Sequence, residues 1–250
     1  MKKILYPLLA LFLVLSFWHY YVIAAEVPKF ILPGPSAIFG ALLDNSATLW
    51  SSALVTFKIT LYALLGAACS GILLALLFSV SRTFEMTLYP FAVVLQVTPV
   101  VAIAPLVLIW VGIDNVDRAQ IIIAWLVAFF PILANMSSGL KSVDRNLSDL
   151  FFLYGASRWQ RFWLLLWPTS MPYLLASLKI SGGLALIGGV VAEFVAGSAG
   201  SAGLAWRIIE AGNRLQMEKM FAALLLLAGM GMLIFYGFSA LERWALRHRA

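Results

Sequence analysis

The segment spanning residues 141–170 holds the residues whose types and spacing most clearly predict a chemical role. The surrounding chain is largely apolar, yet charged and amide side chains are frequent here. An apolar cluster interrupts them, formed by Leu150, Phe151, Leu153 and Tyr154. Large apolar side chains in a polar loop are unfavourable in water unless another surface covers them. A short helix laid in a groove of a second protein is a common recognition mode. The segment therefore predicts protein docking rather than catalysis.

Turn and cap residues divide this segment into two short helices. Ser148 is a candidate N-cap, and it places Asp149 in the first turn, where the helix dipole favours an acid. Gly155 offers a left-handed C-cap without steric cost. Ser157, with Gln160 three residues later, predicts a capping box at the start of the second helix.

Pro168 is expected to end the second helix, where the chain enters the next apolar run. The result is a helix–glycine–helix elbow joined to the flanking spans. From the residues alone, a solvated connector and an interfacial helix with its apolar side chains in lipid remain alternatives.

A few polar residues fall inside apolar runs. Glu193 lies near the outer end of one run, and charged groups within a membrane usually face a protein interior or a water-filled cavity. It is a candidate for a translocation path, although an acid paired with a nearby Arg at the interface is an equal alternative. Gln96, Thr98 and Asn135 are path candidates by polarity alone. Lys179 lies near the end of a run, where a long side chain can extend to the interface.

Residues suited to catalysis are scarce. Cys69 is the only cysteine, so the chain has no internal disulfide. His19 and His248 lie at opposite ends of the chain, which argues against a histidine metal site. The sequence contains no H-E-x-x-H, no G-x-S-x-G and no G-x-x-x-x-G-K-[ST]. We therefore expect no catalytic residue, metal or cofactor, and any ATP hydrolysis must occur in a separate subunit.

The composition predicts a polytopic membrane protein. The chain is 63% hydrophobic and only 11% charged, whereas about a quarter of residues are charged in a soluble domain. A membrane-spanning helix needs about 20 apolar residues. We predict an all-α integral membrane protein, a single domain over residues 1–250, with a cytoplasmic loop at 141–170. Its six transmembrane helices are expected at about 4–25, 56–80, 89–112, 119–140, 171–196 and 220–241.

The distribution of Lys and Arg predicts the orientation. These residues gather on the cytoplasmic side of short loops, and most lie on the side that holds the amino terminus and the 141–170 loop. Six spans then place both termini in the cytoplasm. The net charge of +6 is attributed to membrane orientation. Nucleic-acid binding is not expected, because no basic stripe interleaved with aromatic residues lies outside the spans.

Small residues and prolines predict helix packing and helix breaks. Ser36, after a Pro-Gly-Pro turn, is a candidate cap for a helix on the outer surface. The second span carries Ala63, Ala67, Gly71 and Ala75 at four-residue spacing, and such a stripe lets membrane helices approach closely. Prolines at 90, 99, 105 and 131 predict kinks. For the third span, a break that lines a cavity and a simple bend both remain open.

Two segments near the predicted outer face complete the pattern. The small-residue run at 196–203 can form an outer gate or a re-entrant turn. The loop through Arg207, Glu210 and Arg214 is a candidate docking surface for a soluble partner.

The spacing of the 141–170 loop resembles the EAA signature of bacterial ABC-importer permeases. Asp149 is followed by Gly155 six positions later, by Leu165 ten positions further on, and by Pro168 three after that. In that family the loop docks onto a separate ATPase.

The resemblance extends beyond the loop, with some departures. Asp149 stands in place of the usual Glu, Leu150 and Phe151 in place of two alanines, and Trp167 in place of the Leu before the proline. The runs at 31–36, 98–112 and 190–194 are similar to the nitrate/sulfonate/taurine-type branch of these permeases.

This resemblance implies a type I importer permease of the bacterial inner membrane. The partners it implies are two cytoplasmic ABC ATPase subunits, a second copy of this chain and a periplasmic substrate-binding protein. The solute would be of the nitrate, sulfonate, taurine or thiamine-precursor pyrimidine class. A secondary transporter and a polytopic membrane enzyme are the alternatives. The residues it assigns to ATPase coupling are Asp149, Leu150, Phe151, Leu153, Tyr154, Gly155, Ser157, Leu165 and Pro168.

Overall fold

The computed structural model describes residues 2–196 and 202–247, and all regular structure in these ranges is helical. This confirms the all-α prediction. Two short segments link or extend the helices, a 3₁₀ turn at Ile113–Asn115 and a π turn at Phe162–Leu166. The helices are α1 (Lys2–Ala24), α2 (Pro35–Asp44), α3 (Ser46–Val80), α4 (Arg82–Val97), α5 (Val100–Val111), α6 (Val116–Lys141), α7 (Arg145–Leu153), α8 (Arg158–Arg161), α9 (Trp167–Ala196), α10 (Leu204–Asn213) and α11 (Met217–Leu246).

Five helical segments in the described ranges are long and apolar enough to cross a membrane. They are Leu5–Ala24, Ser46–Val80, Val116–Lys141, Arg158–Ala196 and Met217–Leu246. All but the first extend beyond the predicted limits. The segment Arg158–Ala196, predicted to begin at residue 171, begins well before it, since the second elbow helix continues directly into it.

The predicted third span, residues 89–112, is not a single straight helix. Helices α4 and α5 meet at a bend of 104°. Pro99 lacks a backbone N–H and restricts the residue before it, and Thr98 accordingly adopts extended dihedrals of φ −69° and ψ 126°. Its hydroxyl donates a hydrogen bond to the Val94 carbonyl oxygen at 2.6 Å. The pair is therefore either a broken span or a re-entrant segment.

The chain divides into two compact units, one of Met1–Val55 with Ala202–Gly229 and the other of Thr56–Ser201 with Met230–Ala250. In the first unit, α1 exposes most of its side chains, as a lipid-facing helix does. Its Trp18 ring packs on Phe221, with centroids 6.0 Å apart. Helix α2 begins at Pro35 with Gly34 as N-cap, so the Ser36 cap prediction is wrong. Proline is pre-organised for the first helical position, which starts the helix earlier.

The second unit is built on the packing of α6 against α9. Gly188 lies so close to α6 that an added Cβ would be 2.8 Å from the Ala124 Cα. Along the same interface, the Ser181 hydroxyl donates to the Ala128 carbonyl oxygen at 2.8 Å. Small residues and a buried hydroxyl thus lie together at the interface between α6 and α9, as is typical between membrane helices.

The small-residue stripe of α3 also packs as predicted. Ala63, Ala67 and Ala75 are fully buried. An added Cβ at Gly71 would lie 3.0 Å from Ile132 Cγ2 of α6. The stripe is thus the surface that lets α3 approach α6.

Candidate functional site

Helix α7 begins earlier than its sequence suggested. Asp144 is the N-cap, and its carboxylate accepts a hydrogen bond from the Asn146 N–H at 2.7 Å. The prediction of Ser148 as N-cap is therefore wrong, and Asp149 lies beyond the first turn. Asp and Ser are comparable N-caps, so residue type alone does not select between Asp144 and Ser148. Ser148 instead accepts a hydrogen bond from Arg161 Nη2 at 2.9 Å, which ties α7 to α8.

The end of α7 confirms the predicted left-handed glycine. Gly155 has φ +65°, and its N–H donates to the Phe152 carbonyl oxygen at 3.0 Å. The Ala156 N–H donates to the Phe151 carbonyl oxygen at 3.0 Å. These two bonds form a Schellman motif, which fixes the direction in which the chain leaves the helix.

The tip of α7 carries exposed apolar side chains. Phe152, Leu153 and Tyr154 are 85%, 80% and 83% exposed, and Leu150 is also exposed. Phe151 is half-buried. Phe152 was absent from the sequence-based set, although it is the most exposed of the group. Its position within the uninterrupted apolar run at 150–154 could have indicated that it belongs to the same exposed surface.

The second half of the elbow confirms the predicted capping box. The Gln160 N–H donates to the Ser157 hydroxyl at 3.2 Å, and the Ser157 N–H donates to Gln160 Oε1 at 2.8 Å. Helix α8 then passes through the π turn directly into α9. Four rings brace this passage, with neighbouring centroids 5.2–6.2 Å apart; they belong to Trp159, Phe162, Trp163 and Trp167.

Pro168 does not end the second helix, and that prediction is wrong. Pro168 lies inside α9, just after the π turn, and Leu165 in that turn is buried. The Trp167 N–H already bonds the Phe162 carbonyl oxygen, five residues back. Because a proline in a regular helix collides with the carbonyl four residues back, the wider π turn accommodates the ring without a break.

Glu193 is the most buried of the path candidates, with 1% of its surface exposed. Its Oε1 accepts a hydrogen bond from the Thr56 hydroxyl of α3 at 2.7 Å. Thr60, one turn further, donates to the Thr56 carbonyl oxygen at 2.8 Å. Glu193 thus joins α9 to α3, through a hydrogen bond between residues 137 positions apart.

The other path candidates bond within their own helices or lie exposed. Gln96 is exposed at the end of α4, and Thr98 bonds Val94 as described. Asn135 is half-buried, and its amide donates to the Pro131 carbonyl oxygen at 2.8 Å. Lys179, expected to extend to the interface, instead pairs with Glu242 at 2.6 Å.

A charged set lies on α10 in the first unit. Arg207 donates from Nε to the Ser52 hydroxyl at 3.0 Å and from Nη1 to Glu210 Oε2 at 2.8 Å. Arg214 Nη2 lies 3.1 Å from Glu210 Oε1. The Arg207 hydrogen bond lowers the pKa of Glu210 below its ordinary value, against the opposing effect of partial burial. Most of the 196–203 run lies outside the described residues; of its glycines only Gly203 is described, as the N-cap of α10.

Several helices long and apolar enough to span a membrane, with an exposed apolar elbow between two of them, define a polytopic membrane protein. Residues 67–247 match the family described as "Binding-protein-dependent transport system inner membrane component". The chain belongs to this family.

Named relatives cover nearly the whole chain. A "Probable ABC transporter permease protein" of Haemophilus influenzae is 31% identical over 94% of this chain and 94% of its own length. A "Riboflavin transport system permease protein" of Chloroflexus aurantiacus is 32% identical over 96% of this chain and 88% of its own. The "Formylaminopyrimidine transport permease protein" of Halalkalibacterium halodurans is 32% identical over 86% of this chain and 83% of its own.

A solved structure shares the fold. The "Crystal structure of an amino acid ABC transporter with histidines" aligns with a TM-score of 0.67 over 84% of this chain and 98% of the matched chain, at 16% identity. The chain is thus the permease subunit of an ABC importer, a multi-pass protein of the inner membrane. An ATPase and a substrate-binding protein are its partners by family. Neither the secondary transporter nor the membrane enzyme is supported.

Proposed function

We propose that the elbow formed by α7, α8 and the π turn is the contact through which this permease is driven by its ATPase. The observation that carries the proposal is the exposure of Phe152, Leu153 and Tyr154 at the tip of a helix with fixed ends. Burying one such side chain contributes about 1.5–3 kcal/mol, so three of them support a stable contact. Asp149, Leu150 and Phe151 belong to the same docking helix.

The elbow is built to transmit motion rather than absorb it. Gly155, the Ser157–Gln160 capping box and the Arg161–Ser148 hydrogen bond fix the angle between α7 and α8. Buried Leu165 and the ring cluster hold the passage into α9, in which Pro168 lies. A displacement of α7 by the ATPase therefore moves the whole of α9, a rod of about 45 Å at 1.5 Å per residue.

The far end of α9 carries Glu193, the most buried of the path candidates. Glu193 is hydrogen-bonded to Thr56, so movement of α9 relative to α3 changes this contact. We place Glu193 at a gate of the translocation path and Asn135, Gln96 and Thr98 along it. ATP binding in the ATPase would open the path outward, and hydrolysis would reset it.

Stoichiometry and orientation follow from the same reasoning. A chain of up to six spans without an internal repeat encloses a path as two copies, each with one ATPase. The Lys and Arg distribution supports a cytoplasmic position for the elbow and for both termini. The α10 surface with Arg207 and Glu210 then faces the periplasm, where the binding protein docks. Single cysteines introduced at 152 and 214 in a Cys69→Ser background, probed with an impermeant thiol reagent, test this orientation.

The substrate we propose is a small heterocycle of the thiamine-precursor pyrimidine type. Two relatives at 32% identity are named for riboflavin and formylaminopyrimidine transport, whereas the "Taurine transport system permease protein" of Escherichia coli is 27% identical. The spans also carry few charges to receive a strong anion. Uptake of a labelled pyrimidine and of labelled taurine, measured with the cognate partners, distinguishes these classes.

Substitution of Gly155 tests the docking role. Apart from its two chain neighbours, no atom in the described part of the chain lies within 4 Å of a Cβ at this position, so the backbone at φ +65° is what resists a side chain. Valine is strained there by roughly 1–2 kcal/mol, while asparagine tolerates the left-handed region. Gly155→Val should reduce uptake at least tenfold and weaken ATPase co-purification, with normal amounts of permease in the membrane. Gly155→Asn is the matched control. Wild-type uptake by Gly155→Val would overturn the proposal.

A further inference from the structure

A cleft of about 730 Å³ opens in the second unit where the ends of α3, α6 and α8 meet the first half of α4. Three basic residues line it, Arg82, Lys141 and Arg161, together with one acid, Glu85. Three cations against one carboxylate leave a net charge of +2. The cleft therefore favours an anion.

The cations are not equally engaged. Lys141 forms an ion pair with Glu85, and Arg161 donates to Ser148. Arg82 is exposed, and within residues 2–196 and 202–247 no ion-pair partner is found for it. Its guanidinium can form two parallel hydrogen bonds to a phosphate. The amino-terminal end of α4, capped by Ser81, adds the partial positive charge of a helix start.

Apart from Ser79, the remaining lining of the cleft is largely apolar. Phe78 and Leu140 are buried, and Met86, Tyr89 and Leu166 also line the cleft. A free inorganic anion would make no favourable contact with this apolar lining, whereas the glycerol backbone and first acyl carbons of a phospholipid would pack on it. Basic clefts between transmembrane helices on the cytoplasmic side are suited to anionic lipid headgroups.

We propose that this cleft binds the phosphate group of an anionic phospholipid, with the acyl chains leaving along the apolar wall. The cytoplasmic leaflet is assigned from the orientation proposed above, but the binding itself does not depend on ATPase coupling. Arg161 lines the cleft and also bonds Ser148 of α7. A bound lipid phosphate therefore holds the same arginine that fixes the elbow.

Native mass spectrometry of the complete transporter tests the proposal directly. The complex is purified in a mild detergent, stripped of lipid, and titrated with phosphatidylglycerol, phosphatidylcholine or inorganic phosphate. Phosphatidylglycerol should bind at least tenfold more tightly than phosphatidylcholine. Arg82→Gln should weaken phosphatidylglycerol binding about fivefold, the effect of one basic residue at an anionic lipid surface.

Two further variants control for net charge. Arg243→Gln removes a cation from the last turn of α11, outside the cleft, and should leave phosphatidylglycerol binding unchanged. Glu85→Gln removes the one acid of the cleft and should tighten binding several-fold. The opposite signs of Arg82→Gln and Glu85→Gln separate a specific site from a general loss of structure.

Three results would overturn the proposal. One is equal binding of phosphatidylglycerol and phosphatidylcholine, and another is the same effect for Arg82→Gln and Arg243→Gln. The third is displacement of the lipid by millimolar inorganic phosphate, which would assign the cleft to a free anion. A functional elbow with no lipid preference would leave the coupling proposal standing, because lipid binding and ATPase association are measured separately.

Discussion

Gly188 provides the sharpest test of how α9 is held against α6. An added Cβ there would lie 2.8 Å from the Ala124 Cα and 3.1 Å from Val127 Cγ2. An ordinary Cβ contact begins at 3.4 Å, so Gly188→Ala must separate the two helices locally by about 0.6 Å. The nearer atom belongs to a backbone and cannot rotate away. Overpacking of this kind costs about 1–3 kcal/mol.

Gly183, on the same helix, is the matched control. Leaving aside the adjacent backbone of α9 itself, no atom of the described residues lies within 4 Å of its Cβ position, so Gly183→Ala meets open space. The substitution should be neutral or should stabilise the protein by at most about 1 kcal/mol, through reduced backbone freedom in the unfolded chain. The two changes are chemically identical, but Gly188→Ala is predicted to lower the free energy of unfolding and Gly183→Ala to leave it unchanged or raise it.

The assay is unfolding of the purified permease in detergent, followed by the fluorescence of its tryptophans, with uptake measured in parallel. We expect Gly188→Ala to lower both stability and transport, since α9 connects the elbow to Glu193. The reasoning is refuted if Gly188→Ala is as stable as Gly183→Ala, because the close approach of α6 and α9 would then not constrain the helix.

Three other outcomes are expected. Lys179→Met and Glu242→Gln should each lower the free energy of unfolding by about 1–2 kcal/mol, since each single change leaves a partly buried charge without its partner. The double variant should lose less than the sum of the two. An additive double-mutant cycle would contradict the pairing. Glu210 has a pKa lowered by Arg207, so its contribution to stability is complete above the unfolded-state pKa and is lost as pH falls through the lower folded value. Glu210→Gln should therefore reduce the loss of stability on acidification below about pH 4.3. If the free energy of unfolding of Glu210→Gln falls with pH as steeply as that of the wild type, the Arg207–Glu210 pair is excluded as the source of that loss. Phe152→Asp should change the free energy of unfolding by no more than about 0.5 kcal/mol. It should weaken ATPase association about tenfold or more, because the apolar surface of the ring is lost from the contact. Unaltered co-purification of the ATPase would show that Phe152 is not part of the contact.

The elbow shows what local sequence can and cannot predict. Gly155 and the Ser157–Gln160 box were predictable because each depends on residues within a few positions of one another. The start of α7 was not, since Asp144 and Ser148 are comparable caps and only the tertiary setting selects between them. Arg161 engages Ser148 across the elbow, and that bond gives Ser148 a different partner.

Prolines and buried polar groups show the same limit at longer range. Pro90, Pro105 and Pro131 lie inside helices, whereas Pro99 separates two of them. The local sequence does not distinguish these cases, because the cost of a missing N–H depends on what surrounds it. The Thr56–Glu193 contact joins residues 137 positions apart, and no periodicity in either helix indicates it.

The π turn at Phe162–Leu166 has a consequence for the rotational phase of α9. Each residue of an α-helix turns the chain by about 100°, and a π turn accommodates roughly one residue more than an α turn. Every side chain beyond Leu166 is therefore rotated by about 100° from where an uninterrupted helix starting at the capping box would direct it. Deleting one residue from the π turn would shorten the distance from the capping box to the far end of α9 by only about 1.5 Å. At the distant end, the azimuth of Gly188 and Glu193 is consequently set by the winding of five residues beside the elbow.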